Sequence, residues 1–327
     1  MAARERSVLI TGANGFVGCH LARLLRSKKA AVHGTVFGDE NKETIGALLP
    51  PECCHPVDLR VKKHVRDLVG AVKPDIVFHL AAQSHVPTSW SNPRLTLEVN
   101  VLATLTLLES LADLAPHAAI VLIASGDIYE VLPGLTPETT PYRPRNPYAL
   151  SKLAADLLGE FMCLGQGVKA VRLRPFNHTG PGQDPQFVLP AFARQVALIE
   201  AGLQEPVIRV GNLEVERDFT DVRDMVRAYW LAARKCVPGE CYNVASERTH
   251  SIRALLEMLL RLSRMRPGRA RGGITVEVDP ALYRPSENVR QCGDSSKFHA
   301  ATGWTPRIPI ERTLRDILEY WRREVSV

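Results

Sequence analysis

Tyr148 and Lys152 are the two residues of this chain whose types and spacing best suit acid/base chemistry. They are four positions apart and follow Pro147, a residue favoured in the first turn of a helix, so they share one helical face. A lysine ammonium beside a phenol favours the phenolate and lowers a phenol pKa that is about 10 in free tyrosine. The pair therefore predicts proton exchange with a carbonyl or an alcohol near neutral pH. An ordinary helical pair has the same spacing, so this interpretation needs a cofactor site elsewhere in the chain.

A glycine-rich turn near the N-terminus predicts such a site. Residues 7–11 form a short apolar run with β-branched residues, which indicates a buried strand. Gly12, Gly15 and Gly18 follow with the spacing G-x-x-G-x-x-G, and an amphipathic helical pattern begins there. Glycines let the backbone turn tightly and approach a pyrophosphate, which the helix N-terminus can bind. Strand, turn and helix together predict a dinucleotide site.

Strand and helix patterns alternate along the first half of the chain. Further strands are predicted at residues 31–37, 75–80, 118–124 and 168–173, and helices at residues 61–72, 96–115 and 148–164. This alternation predicts an α/β fold, a Rossmann-type doubly wound parallel sheet with right-handed crossovers. Ligands of such sheets bind beyond the carboxyl ends of the strands. The residues that directly follow strands should therefore line one crevice: Gly12, Ala81, Ala82, Ser125 and Pro175.

The second half of the chain predicts a smaller, discontinuous C-terminal substrate lobe. We expect residues 1–175 to form the dinucleotide-binding domain, with residues 218–248 returning to it through a helix and a strand. Residues 176–217 and 249–327 are expected to form the substrate lobe. Its helices are predicted at residues 187–201, 251–262 and 310–322, and its strands at residues 207–210 and 274–278.

The residues around the second strand leave the nicotinamide cofactor open between NADH and NADPH. An acidic residue at the end of this strand favours NAD, whereas a nearby arginine favours NADP. Here the strand ends in residues 35–39, which include no arginine, and Asp39 comes slightly late for an NAD-specific acid. Asp58 is a candidate acceptor for the adenine amine, although a loop-capping role explains it equally well.

Charge and composition exclude several other classes of protein. The net charge of +6 suits an anionic small substrate, and the densest basic stretch, residues 261–271 with five arginines, is better explained by a solvated helix end than by nucleic-acid binding. The seven cysteines are scattered, which predicts neither a metal site nor a disulfide framework and favours a reducing compartment. Residues 1–6 carry no signal-peptide pattern and no long apolar run follows, so we expect a cytoplasmic protein without a membrane anchor.

Several of these motifs together resemble the extended short-chain dehydrogenase/reductase family. They are the glycine turn, the run His79-Leu80-Ala81-Ala82-Gln83, Asn100, Ser125, and Tyr148 with Lys152. The resemblance implies that Ser125 holds a substrate carbonyl, that Tyr148 is the acid/base, and that Lys152 tunes Tyr148 and binds the nicotinamide ribose. It also implies that Asn100 kinks its helix and positions the lysine. The implied cofactor contacts are Gly12, Asn14, Gly15, Phe16, Val17, Gly18, Asp58, Leu59, Leu80, Ala81, Ala82, Tyr148, Lys152 and Pro175.

Motifs in the second half resemble the nucleotide-sugar branch of that family, and most of all the GDP-4-keto-6-deoxy-D-mannose reductases, which make GDP-D-rhamnose. They are residues 174–183, 210–214, 217–224 and 284–287. This resemblance implies a GDP-linked deoxysugar substrate and a homodimer that pairs the 96–115 and 148–164 helices in a four-helix bundle. Guanidinium groups suit a diphosphate, although each of these side chains could instead form a surface ion pair or a loop cap. The candidate substrate contacts are Gln83, Ser84, Asn177, Arg217, Arg284 and Glu287.

Three reactions of this branch share the same oxidoreduction step, so the sequence leaves alternatives. A 4-ketoreductase, a 4-epimerase and a 4,6-dehydratase all use the same acid/base residues, and a dehydratase also needs an acid/base group near Ser125. Asp127 lies two residues after Ser125, where related dehydratases carry a glutamate, so it is a candidate for a catalytic role or a substrate contact, and a loop hydrogen bond explains it equally well. A dinucleotide-binding regulator without turnover is a remote alternative, because Ser125, Tyr148 and Lys152 are all retained.

Overall fold

The computed structural model describes residues 6–39, 41–265, 273–283 and 289–326. Its strands are β1 (Ser7–Thr11), β2 (Ala31–Val36), β3 (Cys54–Pro56), β4 (Ile76–His79), β5 (Ala119–Ile123), β6 (Lys169–Pro175), β7 (Asn177–Thr179), β8 (Val207–Val210), β9 (Glu216–Asp221), β10 (Cys241–Val244), β11 (Thr249–Ser251), β12 (Thr275–Val278) and β13 (Arg290–Gln291).

Helices lie between and beyond these strands. They are α1 (Phe16–Ser27), α2 (Lys42–Gly46), α3 (Lys62–Val72), α4 (Val86–Ser91), α5 (Pro93–Leu97), α6 (Ala103–Leu114), α7 (Pro147–Gln166), α8 (Val188–Glu200), α9 (Val222–Lys235), α10 (Ile252–Leu262), α11 (Ser296–Thr302) and α12 (Ile310–Val325). Short 3₁₀ turns occur at Pro51–Cys53, Gly126–Ile128 and Pro280–Leu282, and a π-helical segment, Glu98–Leu102, joins α5 to α6.

A seven-stranded parallel sheet carries the first half of the chain. Its strand order is β10-β6-β5-β4-β1-β2-β3, so the strand order reverses beside β1. Successive residues of the central strands point to opposite faces: Leu9 packs with Val77 beneath α3 and α6, whereas Ile10 and Phe78 pack beneath α1 and α9. Because both faces are covered by helices, the central strands β1, β4 and β5 are mostly apolar. The predicted doubly wound α/β fold is confirmed.

Two smaller sheets and a second hydrophobic core form the remainder. In one sheet β9 pairs with β7 and β13 in parallel and with β11 in antiparallel fashion, and in the other β8 pairs with β12. The second core packs α8, α10 and α12 together. The chain returns to the large sheet from Val222 onward through α9 and β10, because residues 216–221 pair in the smaller sheet. Phe298 and Trp304, expected in the substrate lobe, pack instead in the core beneath the large sheet.

The long helix expected at residues 96–115 is interrupted. The structure divides it into α5, the π-helical segment and α6, and Asn100 lies in the π-helical segment. The Asn100 amide donates to the Gln83 carbonyl at 2.9 Å and to Ser151 Oγ at 2.9 Å, and its Oδ1 accepts from the Gln83 N–H at 2.8 Å. These three bonds connect the loop after β4 to α7 through the π-helical segment. Single π-helical turns of this kind are frequently found at functional sites.

Helix α7 begins and is anchored by identifiable interactions. Asn146 caps its N-terminus by accepting from the Ala149 N–H at 2.7 Å, and Pro147 takes the first helical position as predicted. Two turns beyond Tyr148, the buried Asp156 carboxylate accepts from Arg172 at 2.9 Å and from Arg174 at 2.7 Å. Both arginines lie on β6, so the three buried charges attach α7 to the sheet.

Removing the carboxylate would leave the buried Arg174 guanidinium without its acidic partner and Arg172 with only the more exposed Glu160, at 2.8 Å. We therefore expect Asp156→Ala to lower the free energy of unfolding by about 3–5 kcal/mol, as measured by urea denaturation. Asp113→Ala is the matched control, because Asp113 forms a surface ion pair with Arg66 at 2.6 Å. That pair should contribute less than about 1 kcal/mol. Equal denaturation midpoints for the two variants would contradict the assigned role of Asp156.

Candidate active site

A cleft of about 1040 Å³ lies beyond the carboxyl ends of the large sheet, between that sheet and the second core. From the sheet side it is lined by the turn after β1, by the segments after β4 and β5, and by the start of α7. From the other side it is lined by the segment that begins α8, by the end of β8, and by β9 and β13. The site residues that the sequence predicted and that line this cleft are Gly12, Gly15, Phe16, Val17, Gly18, Leu80, Ala82, Gln83, Ser84, Ser125, Asp127, Tyr148, Lys152, Pro175, Asn177 and Arg217.

The glycine turn has the backbone that a dinucleotide site requires. Gly12 has a φ of +69°, and a Cβ there would lie 2.9 Å from the Ala81 Cα, so both the conformation and the space exclude a larger residue. A Cβ on Gly18 would overlap the Gly12 carbonyl. Gly15 begins α1 without a side-chain cap, which directs the first N–H groups of a twelve-residue helix toward the cleft. These residues fit a pyrophosphate.

Asn14 and Thr35 hold the turn against the end of β2. The Asn14 amide donates to the Phe37 carbonyl at 3.0 Å and accepts from the Phe37 N–H at 3.2 Å. Thr35 Oγ1 accepts from the Gly12 N–H at 2.9 Å. Asn14 is 4% exposed, so its side chain shapes the turn from behind. Ala81 likewise backs Gly12 and donates its N–H to Thr11 Oγ1 at 3.2 Å.

At the predicted adenosine end of the site, Asp58 makes the loop contact that the sequence also allowed, and the Leu59 side chain is turned away from the cleft. The Asp58 carboxylate pairs with Arg60 at 2.7 Å, and this hydrogen-bonded pair holds the pKa of Asp58 below its usual value. Asp58 thus also serves its own loop, because its carboxylate accepts from the Arg60 N–H at 3.0 Å. The Leu59 side chain is buried in the core beneath the sheet and does not line the described cleft, because its position after β3 turns it inward.

The acid/base residues meet at the junction of β5 and α7. Ser125 ends the strand segment, and its Oγ accepts from the Asp127 N–H at 3.1 Å. Tyr148 lies across from it in the first turn of α7, near enough for the Ser125 hydroxyl and the Asp127 charge to affect the phenol. Lys152 is one turn further along the same helix and 7% exposed. The structure therefore brings together the four residues expected to carry the chemistry.

The pKa of Tyr148 moves in the direction opposite to the one predicted. Burial of the phenol and the neighbouring Asp127 charge raise its pKa well above 10, and only the Ser125 hydrogen bond opposes them. Burial also lowers the pKa of Lys152 to about 8, although Asp156 partly opposes this. The prediction considered the ammonium alone, but removal of both groups from bulk water dominates in the folded chain. The phenol is consequently held in its protonated form.

The candidate substrate contacts are only partly within the described residues. Gln83, Ser84, Asn177 and Arg217 line the cleft. The Asn177 amide donates to the Asp218 carbonyl at 3.4 Å, and Arg217 Nη1 donates to the Glu216 carbonyl at 2.9 Å. Arg284 and Glu287 lie outside the described residues.

Some cleft residues carried no prediction from the sequence. Their side chains come from segments whose approach to the cleft depends on the folding of the second lobe. Asn212 and His178 belong to stretches whose resemblance was noted without assigning roles to these residues, whereas Arg209 and Gln291 gave no functional signal. The His178 ring stacks on Phe16 with centroids 6.4 Å apart, so this histidine extends the wall beside the glycine turn. Within the described ranges, no group of three or more His, Cys, Asp or Glu residues is arranged to hold a metal ion.

Comparison with known proteins identifies the family. Residues 9–317 match the family model described as GDP-mannose 4,6 dehydratase. The GDP-6-deoxy-D-mannose reductase of Pseudomonas aeruginosa is 38% identical over 322 residues, which cover 97% of this chain and 98% of that protein. The GDP-mannose 4,6-dehydratase of Vibrio cholerae is 28% identical and covers 96% of this chain and 93% of its own.

Solved structures agree with these sequence comparisons. RMD from Pseudomonas aeruginosa complexed with NADPH matches with a TM-score of 0.83 at 35% identity, covering 98% of this chain and 99% of that one. The UDP-glucose 4-epimerase of Thermotoga maritima with UDP-glucose matches with a TM-score of 0.85 at 25% identity, covering 97% and 99%. The predicted fold and the predicted resemblance are thereby confirmed, and the chain belongs to the GDP-mannose 4,6-dehydratase family of the short-chain dehydrogenases/reductases.

Proposed function

We propose that the protein reduces the C4 ketone of a nucleotide-linked 4-keto-6-deoxy sugar, and that GDP-4-keto-6-deoxy-D-mannose is converted to GDP-D-rhamnose. The observation that carries this proposal is the Tyr148 phenol beside Ser125 in a cleft that also contains Lys152 and Arg217. The 38% identity to a GDP-6-deoxy-D-mannose reductase over nearly the whole chain supports the choice of substrate.

Each of four residues of the cleft has a separate role in the reaction. A bound reduced nicotinamide supplies the hydride to C4. Tyr148 donates its phenolic proton to the oxygen of the former ketone, and Ser125 donates a hydrogen bond to the same oxygen as negative charge develops on it. Lys152 places a positive charge one helical turn from the phenol, which stabilises the phenolate that the proton transfer leaves behind. Arg217 offers a planar donor group to the diphosphate.

The direction of the Tyr148 pKa shift agrees with a phenol that enters the reaction protonated. A ketoreductase needs the phenol as an acid in its oxidoreduction step, whereas an epimerase or a dehydratase first needs a base to oxidise a sugar hydroxyl. Burial and the Asp127 charge both raise the pKa of the Tyr148 phenol, so the phenol carries its proton before the ketone is reduced. Asp127 also accepts a hydrogen bond from Gln291 at 3.0 Å, which occupies one carboxylate oxygen that a dehydratase would need for elimination.

We infer that either NADH or NADPH can supply the hydride. The end of β2 presents Phe37 in place of an acid, and Asp39 lies on the surface beside Lys42 at 3.4 Å. The Arg60 guanidinium lies 5.9 Å from the centre of the Phe37 ring and is paired with Asp58. The adenosine end thus contains one acid for ribose or adenine and one arginine for a 2′-phosphate.

We also propose that the protein is a homodimer whose subunits pair through α7 and the α5–α6 helices. Leu150, Phe161 and Leu164 are at least half exposed on one face of α7, and Leu102 is 56% exposed on the neighbouring π-helical segment. The continuous helical run Pro93–Leu114 is apolar enough by length and composition to cross a membrane, yet it packs against α3 and α7. A second copy would cover this face with an equally apolar surface.

Replacement of the acid should abolish turnover selectively. Tyr148→Phe is expected to lower kcat for ketone reduction by about 10²–10⁴-fold, because the proton donor is lost, while dinucleotide affinity stays within about twofold. Stopped-flow absorbance of nicotinamide oxidation and fluorescence titration of the cofactor measure the two quantities. Tyr320→Phe on α12, away from the cleft, is the matched control. Full activity of the Tyr148 variant would refute the mechanism.

The product of the reaction discriminates among the candidate functions. Incubation with GDP-4-keto-6-deoxy-D-mannose and either nicotinamide is expected to consume one cofactor per sugar and to give the C4 configuration of rhamnose by NMR. The enzyme should release its oxidised cofactor between turnovers. Tightly retained cofactor with no net consumption would favour the epimerase or dehydratase, the talo configuration would correct the stereochemistry, and binding without any turnover would favour a regulator.

A charged residue on the exposed face of α7 should disrupt the dimer. Phe161→Glu combined with Leu150→Glu is expected to shift the protein to a monomer in sedimentation velocity, because two carboxylates would be buried in an apolar interface. Leu203→Glu is the matched control, since Leu203 is 66% exposed in a turn after α8. A wild-type monomer, or a dimer that survives both substitutions, would contradict the proposed interface.

A further inference from the structure

Gln291 connects the far end of the chain to the loop that carries the acid/base residues. It lies on β13, is 8% exposed, and its Nε2 donates to Asp127 Oδ1 at 3.0 Å. Asp127 in turn donates its N–H to Ser125 Oγ at 3.1 Å. One amide from the end of the second lobe thus contacts a carboxylate that borders both Ser125 and Tyr148.

The backbone around Gln291 is held on several sides. The next residue, Cys292, accepts through its carbonyl from the Thr136 N–H at 2.9 Å. Gly293 donates its N–H to Asp218 Oδ2 at 3.4 Å, and a Cβ there would overlap the Phe176 ring and Ala245. Since a side chain is aimed accurately only when its backbone is constrained, these contacts make the Gln291 amide a pre-positioned donor.

The same pair of strands carries a candidate contact for the diphosphate. β13 runs parallel to β9, and Gln291 is the register partner of Arg217. Both side chains line the cleft. The paired strands β9 and β13 therefore present the Arg217 guanidinium to the part of the cleft proposed for the diphosphate, and the Gln291 amide to the part that contains Asp127 and Tyr148.

We propose that Gln291 is a positioning residue for the ketone reduction: its amide holds the Asp127 carboxylate, and with it the loop that carries Ser125, in place beside Tyr148. This inference rests on the proposed function for its catalytic consequence, whereas the contact between Gln291 and Asp127 is independent of it. Neither residue has to touch the hydride donor.

The electrostatic basis is the charge environment of the phenol. The ionisable groups around Tyr148 in the described residues are Asp127 from the loop after β5, Lys152 from its own helix and Tyr229 from α9. Asp127 is the negative group that raises the pKa of Tyr148. Without the Gln291 donor, the half-buried carboxylate would turn toward water, and its effect on the phenol would fall. The proton donor would then be lost at a lower pH.

A double-mutant cycle with pH profiles tests this role. Gln291→Leu is expected to lower kcat about tenfold with KM for the ketone within about threefold, because one charge-assisted hydrogen bond is lost. The alkaline limb of kcat should move to lower pH, as it should in Asp127→Asn. In the Asp127→Asn background, Gln291→Leu should shift the limb no further. Independent, additive shifts would overturn the proposal.

Two further variants separate donation from packing. Gln291→Met keeps the length of the side chain but removes the donor without adding a charge, so it should shift the alkaline limb in the same direction as Gln291→Leu while retaining the thermal unfolding midpoint more closely. Gln204→Leu is the matched control, because the Gln204 amide donates to the Val207 carbonyl at 2.8 Å away from the described cleft lining. An unchanged limb in Gln291→Met would also overturn the proposal.

A spectroscopic readout keeps this test separate from the test of function. The ¹³Cζ resonance of Tyr148 in tyrosine-labelled protein, assigned by its absence in Tyr148→Phe, reports the charge beside the phenol without any substrate. It should move in the same direction in Gln291→Leu and Asp127→Asn and stay in place in Gln204→Leu. If it does so while the wild type fails to reduce the ketone, the proposed function is wrong and the positioning role stands. An active wild type whose resonance ignores Gln291 would refute the positioning role alone.

Discussion

The position of the catalytic helix depends on the burial of one carboxylate against two guanidinium groups. Tyr148, Lys152 and Asp156 recur every four residues along α7, so they lie on nearly the same side of the helix. Asp156 is held by Arg172 and Arg174 of β6 with no solvent access, and a buried charge separated from its partners is costly. Rotation or translation of α7 would therefore strand charges in the interior. This constraint therefore fixes the direction of the Tyr148 phenol and the Lys152 ammonium, which both point toward the cleft.

The same exclusion of water sets the chemistry of the cleft. Burial raises the pKa of the Tyr148 phenol and lowers the pKa of the Lys152 ammonium, so each group is shifted toward its neutral form. A neutral phenol is suited to donating a proton to an alkoxide, which is what reduction of a ketone requires. Lys152 keeps a pKa of about 8, so it remains mainly cationic at neutral pH and can stabilise the phenolate that follows.

Features governed by local pattern could be predicted from the sequence. β1 and β8 were placed to the residue, because short apolar runs bounded by turn residues leave little choice of boundary. The residues after the strands were predicted to meet, since the carboxyl ends of parallel strands share one edge. Features that depend on residues distant in the sequence could not be predicted from local pattern. The π-helical break at Asn100 depends on hydrogen bonds to the Gln83 backbone and to Ser151. The direction of the Tyr148 pKa shift depends on the burial of the phenol. The Leu59 side chain packs in a hydrophobic core whose members could not be identified from the sequence pattern. β13, with two residues, is too short to carry any periodicity.

The contact between Gln291 and Asp127 also has a consequence for biosynthesis. The two residues are 164 positions apart, and β10 likewise joins β6 only after the intervening strands have been made. At a translation rate of about 5–20 residues per second, the loop after β5 leaves the ribosome roughly ten to thirty seconds before its partner. Strands β1 to β6 are consecutive and mostly pair with sequence neighbours, so the dinucleotide half can form first. A nascent chain would thus complete the strands of the dinucleotide half before Gln291 is available to hold the Asp127 carboxylate.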